Sequence, residues 1–446
     1  MRQLAIWFVL RYFRFFARIA LFVHRPLVLG IAGSVGKTST KYVLSHILSA
    51  AGKTAVTSGN SETGIPLGIL GIALHGYSPL QWLLAMALCP FKIFHLRRVK
   101  FLVAEMGIDD PYPPKNMTYL LSIVEPDIAV LVTESVAHTM QFDKVLTDAE
   151  RALPDGQRIE RLVAAIANED AKMAMTQRCS AIIYNADSSF ITGALARGVP
   201  TRVKRIHFGH AHDASFRYRS YDVSPDRTAF SFTDKRLTHS LGIRGYALPE
   251  EYREVFAAAL LAAREAGVSI ETGIESLNRG FALPKGRASV LNGIGNSTII
   301  DSSYNASRAS TVAFLKLMNT LKEKTGRPTV MLFGDMRELG EETKAEHETV
   351  FEHMPGTIDY LFCVGPLTKE YILPAAQSSP FQRVKWFSDA VSAGSYLAQH
   401  LPERSLVLVK GSQNGIFLEE AIKFILADPQ DAGKLCRQEK YWKKGF

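Results

Sequence analysis

Apolar runs of strand length alternate along the chain with polar or glycine-bearing turns, and after several of these turns apolar positions return at helical spacing. The first such unit is clear. Residues 27–31 are a continuous apolar run, and Val43, Leu44, Ile47 and Leu48 then share one helical face, with Gly52 as the stop. Residues 101–104, 127–133 and 181–184 repeat the short apolar run, and residues 215–243 are more polar and strand-like. An alanine-rich stretch over about 249–267 predicts a packed helix that ends at Gly267. Residues 283–287 read as a hinge, and a fresh apolar pattern begins at 288. This alternation predicts an α/β protein with a parallel sheet. Its expected divisions are a helix over 1–26, a central domain over 27–287 and a smaller C-terminal domain over 288–446.

Two apolar stretches stand apart from the alternation. Residues 1–25 are rich in Leu, Ile, Phe and Trp but carry arginines at 2, 11, 14, 18 and 25, so they lack the roughly 20 uncharged residues of a spanning helix. Arg11, Arg14, Arg18 and Arg25 share a helical face, with Trp7, Phe8, Phe15, Phe16, Ile19 and Phe22 around the rest. That pattern suits a helix lying in a membrane interface and equally one packed on the following domain with its arginines in water. A cleaved signal peptide is disfavoured, because charge breaks the apolar region and no small-residue cleavage site follows. Residues 78–96, with Trp82, Phe91 and Phe94 ahead of Arg97, Arg98 and Lys100, are expected to be buried core in preference to a second membrane-facing patch.

The chemistry begins where the first strand turns into the first helix of the alternation. Gly33, Ser34, Val35, Gly36, Lys37, Thr38 and Ser39 form a glycine-punctuated loop whose backbone N–H groups can approach phosphate oxygens at a helix N-terminus. Lys37 is suited to reach terminal phosphates and Thr38 to hold Mg²⁺, although Ile31 stands where the strict pattern has its first glycine. Glu105 closes the run at 101–104, and His138 follows the run at 127–133. In an open parallel sheet both belong on the ligand-bearing edge, where they could bind the divalent ion that accompanies ATP. Three polar turns after apolar runs, at 301–307, 334–340 and 410–412, predict a second ligand-lined edge in the C-terminal domain.

Composition adds one constraint and removes others. The formal charge is +9, and Lys and Arg are the only ionised side chains before Glu62; Lys434, Arg437, Lys440, Lys443 and Lys444 form a second basic group. This balance suits an anionic partner, either a membrane surface, a nucleic acid or a phosphorylated substrate. Cys89, Cys179, Cys363 and Cys436 are scattered without paired spacing, which indicates neither a disulfide framework nor a zinc site and fits a reducing cytoplasm.

In this order the segments resemble the Mur ligases, ATP-dependent amide-forming enzymes of peptidoglycan synthesis, on the branch that joins D-alanyl-D-alanine to a muramoyl tripeptide. The resemblance runs from about residue 27 to about 425. It rests on the loop at 33–39, on Ser58-Gly59-Asn60 with Gly64-Ile65-Pro66, on Glu105-Met106-Gly107 and on Ala137-His138. It continues through Asp301 with Tyr304-Asn305-Ala306, Gly334-Asp335-Met336 with Glu338-Leu339-Gly340 and His347, and Lys410-Gly411-Ser412. The implied architecture is a P-loop ATPase-like central domain plus a Rossmann-like C-terminal domain. Implied roles are catalysis for Lys37, Glu105 and His138, and magnesium binding for Thr38, Glu105 and His138. Nucleotide contacts would come from residues 33–39 with Arg287, Asp301 and Asn305. Asn60, Asp335, Glu338, His347, Lys410 and Ser412 would bind substrate. The implied reaction phosphorylates a carboxylate with MgATP, after which an amine attacks the acyl phosphate; the C-terminal domain closes over the central one and excludes water. The resemblance implies a cell-wall precursor and an amine as partners, no nucleic acid, and a cytoplasmic location, peripheral to the membrane if residues 1–25 bind it.

Several departures from that family carry their own expectations. A basic helix stands where the family has a UDP-sugar-binding domain, which suggests a carboxyl substrate held near a membrane. The family's carbamylated lysine has no counterpart: Lys144 alone lies between His138 and Asn168, and Glu150, Arg151 and Ala152 stand near the expected place. The family's His-Asn pair is replaced around Tyr252 to Phe256, its second aspartate is Ser302, and its arginine after Ser412 is Gln413. Alternative readings are a ligase for another acidic peptide or polymer, and a membrane-associated nucleotide-binding scaffold with impaired catalysis.

Overall fold

The computed structural model describes residues 2–74, 78–133, 139–234, 237–337, 339–412 and 415–438. The chain divides into two compact units. One comprises Met1–Arg219, Ser231–Ser240 and Arg253–Phe281; the other comprises Ser220–Phe230, Leu241–Tyr252 and Ala282–Phe446.

Among the described residues the first sheet has nine strands: β1 (Leu27–Ala32), β2 (Thr54–Val56), β3 (Phe101–Glu105), β4 (Ile128–Leu131), β5 (Ala181–Asn185), β6 (Lys204–Gly209), β7 (Phe216–Ser224), β8 (Arg227–Asp234) and β9 (Leu237–Arg244). Their order is β2-β3-β1-β4-β5-β6-β7-β8-β9, parallel from β2 through to β7. β3 and β4 are buried along their whole length and β1 nearly so, as expected of central parallel strands covered on both faces. Because β3 and β4 flank β1, everything at their carboxyl ends converges on the turn that follows β1. Helix α1 (Arg2–His24) precedes β1, and α2 (Lys37–Ser49) follows it, burying Val43, Leu44, Ile47 and Leu48 as their spacing predicts. The alanine-rich helix Tyr252–Glu265 is buried continuously from Val255 to Ala263 and is followed by Gly267 at φ +92°.

Helix α1 packs one stripe, Leu10, Phe13, Ala17, Ala20 and Leu21, into the core of the first unit. Arg14 and Arg18 donate to the Ser122 hydroxyl (2.9 Å) and carbonyl (3.1 Å). The helix stops where Arg25 takes φ +47° ahead of Pro26. After the short helix α3 (Gly64–Ile69) comes α4 (Pro79–Lys92). Here the expected burial of residues 78–96 is corrected: in α4 only Ala85 and Cys89 are buried, while Leu80, Leu83, Leu84 and Phe91 face solvent. An all-round apolar helix reads as core, yet just one of its faces meets the body of the unit.

The second unit holds a six-stranded sheet among the described residues: β10 (Ser289–Asn292), β11 (Thr298–Ser302), β12 (Thr329–Gly334), β13 (Tyr360–Val364), β14 (Arg383–Phe387) and β15 (Leu406–Lys410), in the order β10-β11-β15-β12-β13-β14. All pairs are parallel except β10 with β11. The strand that comes last in sequence lies between β11 and β12. Its insertion brings the turns after Ser302, Gly334 and Lys410 side by side at one edge. The four cysteines are free and buried.

Candidate functional site

In the first unit the site is the loop between β1 and α2. Gly33 takes φ +131° and Gly36 φ +90°, and a Cβ on Gly33 would lie 2.7 Å from the Val132 side chain. Glycine is required there because a side chain meets both the left-handed backbone and the neighbouring strand. The Ser34 and Val35 N–H groups donate to the Thr133 carbonyl (2.9 and 3.1 Å), which ties the loop to the exit of β4. Thr133 in turn donates to the Glu254 carboxylate on the alanine-rich helix. Among the described residues no side chain caps the first turn of α2, whose N–H groups are suited to receive a ligand. The Lys37 ammonium donates to the carbonyls of Gly33 and of Ser34 (3.2 Å for the second).

Beneath the loop, Glu105 at the end of β3 organises the polar contacts. Thr38 Oγ1 donates to Glu105 Oε1 (2.8 Å), and Asn60 Nδ2 donates to the same oxygen (3.4 Å). Lys41 Nζ lies 2.8 Å from Glu105 Oε2, with the two side chains 6 and 5% exposed, and also donates to the Thr57 carbonyl (3.2 Å). Burial on its own raises the Glu105 carboxyl, but the Lys41 ammonium and hydroxyl of Thr38, with Lys37 nearby, outweigh it and hold Glu105 below its ordinary value. The carboxylate is therefore ionised at neutral pH. The Gly107 N–H donates to the Asn60 carbonyl (2.9 Å), and a Cβ at Gly107 would meet the Asn60 side chain at 2.7 Å, which fixes the approach of the two turns. The structure thus gathers residues 33–39, Asn60 and Glu105. His138 lies outside the described residues.

In the second unit Asp301, Asn305, Asp335, Lys410 and Ser412 share the edge formed by β11, β15 and β12. Lys410 is buried; its Nζ donates to the Asn305 carbonyl (2.9 Å) and the Ser302 hydroxyl (3.4 Å). Burial, helped by Arg287, lowers its ammonium to about 7. Asp301 accepts the Ser303 N–H through Oδ1 (3.0 Å), while its buried Oδ2 finds no hydrogen-bond partner among the described residues. Burial raises Asp301 to about 6 against the opposing hydrogen bonds from Ser303. The guanidinium of Arg287 lies 4.7 Å from the Tyr304 ring centroid.

Asp335 accepts the Thr368 N–H (2.9 Å), and the Asp335 carbonyl receives the Ser412 N–H (3.0 Å). The Ser412 hydroxyl accepts the Arg337 N–H (3.0 Å). His347 is fully buried: its Nε2 accepts the Met336 N–H (3.1 Å) and its Nδ1 donates to the Thr343 carbonyl (2.7 Å). That pairing fixes one neutral tautomer, and burial lowers the imidazole below its ordinary value. In this geometry His347 and Ser412 hold the turn after β12. Glu338 lies outside the described residues.

Three partners were missed in the sequence. Lys41 carries a local signal, since it falls four residues after Lys37 on the same helix, but its pairing depends on β3. Glu254 carries none. Arg437, expected within a basic group for an anionic partner, instead makes a buried two-bond pair with Glu419 (both 2.6 Å) and donates to the carbonyls of Ser303 and Tyr304. Lys434 of that group pairs with Asp431, and Lys440, Lys443 and Lys444 lie outside the described residues. Lys144 sits in a surface pair with Asp110, and Glu150 caps the turn that starts at Thr147.

A parallel sheet with a phosphate-type loop after β1, an ionised carboxylate bonded to the loop threonine, and a second α/β unit mark an α/β protein of the nucleotide-binding class. Residues 31–178 match the Mur ligase middle domain and residues 286–413 match the Mur ligase, glutamate ligase domain. The chain belongs to the Mur ligase family. It is 26% identical over 331 residues to a UDP-N-acetylmuramoyl-tripeptide–D-alanyl-D-alanine ligase of Mycobacterium bovis, covering 72% of this chain and 55% of that protein. It is 24% identical over 408 residues to the enzyme of that name from Bacillus subtilis, covering 90% and 76%. The chain spans about half the length of the mycobacterial relative. Among solved structures, the MurF ligase from Thermotoga maritima in complex with ADP shares the fold, with a TM-score of 0.70 at 21% identity over 93% of this chain and 83% of that one.

Proposed function

We propose that this chain is an ATP-dependent ligase that forms an amide through an acyl phosphate. On this reading the carboxylate comes from a cell-wall peptide precursor and the amine from D-alanyl-D-alanine or a similar dipeptide. The observation that carries the reading is the hydrogen bond between Thr38 and an ionised Glu105 directly under the uncapped start of α2. Membership in the Mur ligases and the names of the relatives support the choice of reaction.

In the first step a substrate carboxylate oxygen attacks the γ-phosphorus of ATP and ADP leaves with the bond electrons. In the second, the amine nitrogen attacks the acyl carbon, inorganic phosphate departs and the nitrogen loses a proton. The loop N–H groups and the Lys37 ammonium spread the charge of the transferring phosphoryl group, the main demand of such catalysis. Thr38 and Glu105 present two hard oxygen donors side by side, which fits Mg²⁺, and Lys41 keeps the carboxylate charged. When bound, that ion neutralises phosphate charge. Asn60 holds the second turn against Glu105 and is suited to orient the carboxyl substrate. Asp301, Asn305 and Arg287 are assigned to the nucleotide, and Asp335 and Lys410 to the amine-bearing substrate. On this reading the reaction runs in the cytoplasm, where ATP is available.

The test incubates the purified protein with ATP, Mg²⁺, a muramoyl tripeptide donor and D-alanyl-D-alanine, and follows ADP release and product mass. Amide product dependent on all four components supports the reading. ATP binding without any substrate-dependent ADP release favours a scaffold without turnover, and turnover with other acidic donors alone moves the substrate class.

A further inference from the structure

Helices α1 and α4 lie alongside one another in the first unit. The Phe13 and Trp82 rings are 5.9 Å apart, the Tyr12 hydroxyl donates to the Met86 carbonyl (3.1 Å), and the His24 and Phe94 rings are 6.3 Å apart. The middle of α1 thus meets Trp82 and Met86 of α4, and the end of α1 meets Phe94 in the turn that follows α4, so the two run in the same general direction. Each buries one stripe and presents the opposite one outward. On α1 the outward stripe holds Phe8, Phe15 and Phe22, at 62, 59 and 71% exposure; on α4 it holds Leu80, Leu83 and Phe91, at 76, 64 and 77%. At 3.6 residues per turn, Phe8 and Phe15 fall on the side of α1 next to Tyr12, and Leu83 falls on the side of α4 next to Met86, so the two stripes adjoin.

Exposed aromatic and leucine side chains in such a continuous plane are far from the scattered singles of an ordinary surface. The charges around it choose the occupant. Arg11 and Arg18 line the other flank of the α1 stripe, and the Arg25 guanidinium lies 5.4 Å from the Phe22 ring centroid. Arg97, Arg98 and Lys100 follow the end of α4 and are exposed. The first 104 residues contain twelve Lys and Arg against a single acid, Glu62. α4 and its extension to Leu96 are long and apolar enough to cross a membrane by composition. Ala85 and Cys89 are nevertheless packed into the protein core, which leaves the helix lying flat.

We propose that α1 and α4 together form a docking face for an anionic lipid bilayer, the apolar plane entering the headgroup boundary and the flanking arginines pairing with lipid phosphates. The face holds the enzyme at the membrane surface, where a lipid-linked carboxyl substrate would be presented. It uses none of the residues assigned to nucleotide, so it stands or falls separately from the ligase reading.

The experiment is co-sedimentation of the full chain with vesicles of phosphatidylcholine alone and of phosphatidylcholine with 30% phosphatidylglycerol. Binding to the anionic vesicles that weakens at 0.5 M salt is expected, because the cationic contribution is screened. Arg11→Gln with Arg18→Gln should lower the partition coefficient about thirty-fold, and Phe15→Gln with Leu83→Gln and Phe91→Gln roughly tenfold or more. Circular dichroism and ATP binding, unchanged in both variants, show that folding is intact. Equal partitioning to both vesicle types, or variants that sediment as the parent does, overturns the proposal. So does a concentration-dependent dimer, abolished by the apolar substitutions and accompanied by no vesicle binding, since the face then belongs to a second copy.

Discussion

Replacing Lys41 with methionine should expose how the Glu105 carboxylate is kept charged. The Lys41 and Glu105 side chains are almost completely buried and 2.8 Å apart, so removing one partner leaves an uncompensated charge, a change that costs about 3–5 kcal/mol in comparable buried pairs. For a unit of this size each kcal/mol moves the melting temperature by about 2–4 °C, so Lys41→Met should melt on the order of 10 °C lower near neutral pH. The pH dependence sharpens the test. In the parent the folded Glu105 titrates below its ordinary 4.5, so the stabilisation from the pair is complete above about 4.5 and is lost as pH falls through the folded value. In Lys41→Met burial acts with its main counterweight gone, and the folded value rises above the unfolded one. The variant should then become more stable as pH falls from neutral toward about 4.5, a range over which the pair's contribution in the parent stays constant. Adding Glu105→Gln should recover much of the loss, since no charge is left buried. The assay is thermal unfolding of parent, two single variants and the double variant between pH 4.5 and 8. A Lys41→Met protein that melts within about 2 °C of the parent with the same slope would refute the reasoning.

Other outcomes follow from the same geometry. Lys37→Ala should retain the melting temperature and lose substrate-dependent ADP release by roughly a hundredfold or more, read in a coupled ADP assay. Gly33→Ala forces a side chain into φ +131° and against Val132, so nucleotide affinity should fall by at least about fivefold in calorimetric titration while far-ultraviolet dichroism stays that of the parent. Lys410, lowered to about 7 by burial, binds an extra proton only when unfolded between about pH 7 and its ordinary 10.5. The second unit should therefore gain stability as pH rises across that range, and Lys410→Met should flatten the gain in urea unfolding at pH 7, 8 and 9.

What could be read in the chain was local. Gly33 to Ser39 sit within one strand-turn-helix unit, so the residue types, the helix start and the phosphate chemistry are all written within a dozen positions. The neighbours of that loop come from distance: Lys41 meets Glu105 only because β3 lies beside β1, and Glu254 reaches Thr133 from a helix more than a hundred residues on. The three polar turns of the second unit were expected to share one ligand-lined edge, but their order along it was not legible. That order follows from β15 lying between β11 and β12, which no periodicity encodes. Hydrophobicity misled at α4, because an unbroken apolar helix has the same sequence whether protein or something else covers it. Arg437 misled in the opposite sense: a cation near a basic tail reads as solvated, yet a carboxylate eighteen residues earlier draws it inside.

The late arrival of β15 has a consequence for damaged chains. A product cut between Gly334 and Leu406 keeps β11 and β12 but lacks the strand that joins them, so each presents an apolar, unpaired edge. Such edges template pairing with other chains. Truncation there should yield aggregates cleared by quality control, not a shortened, soluble protein.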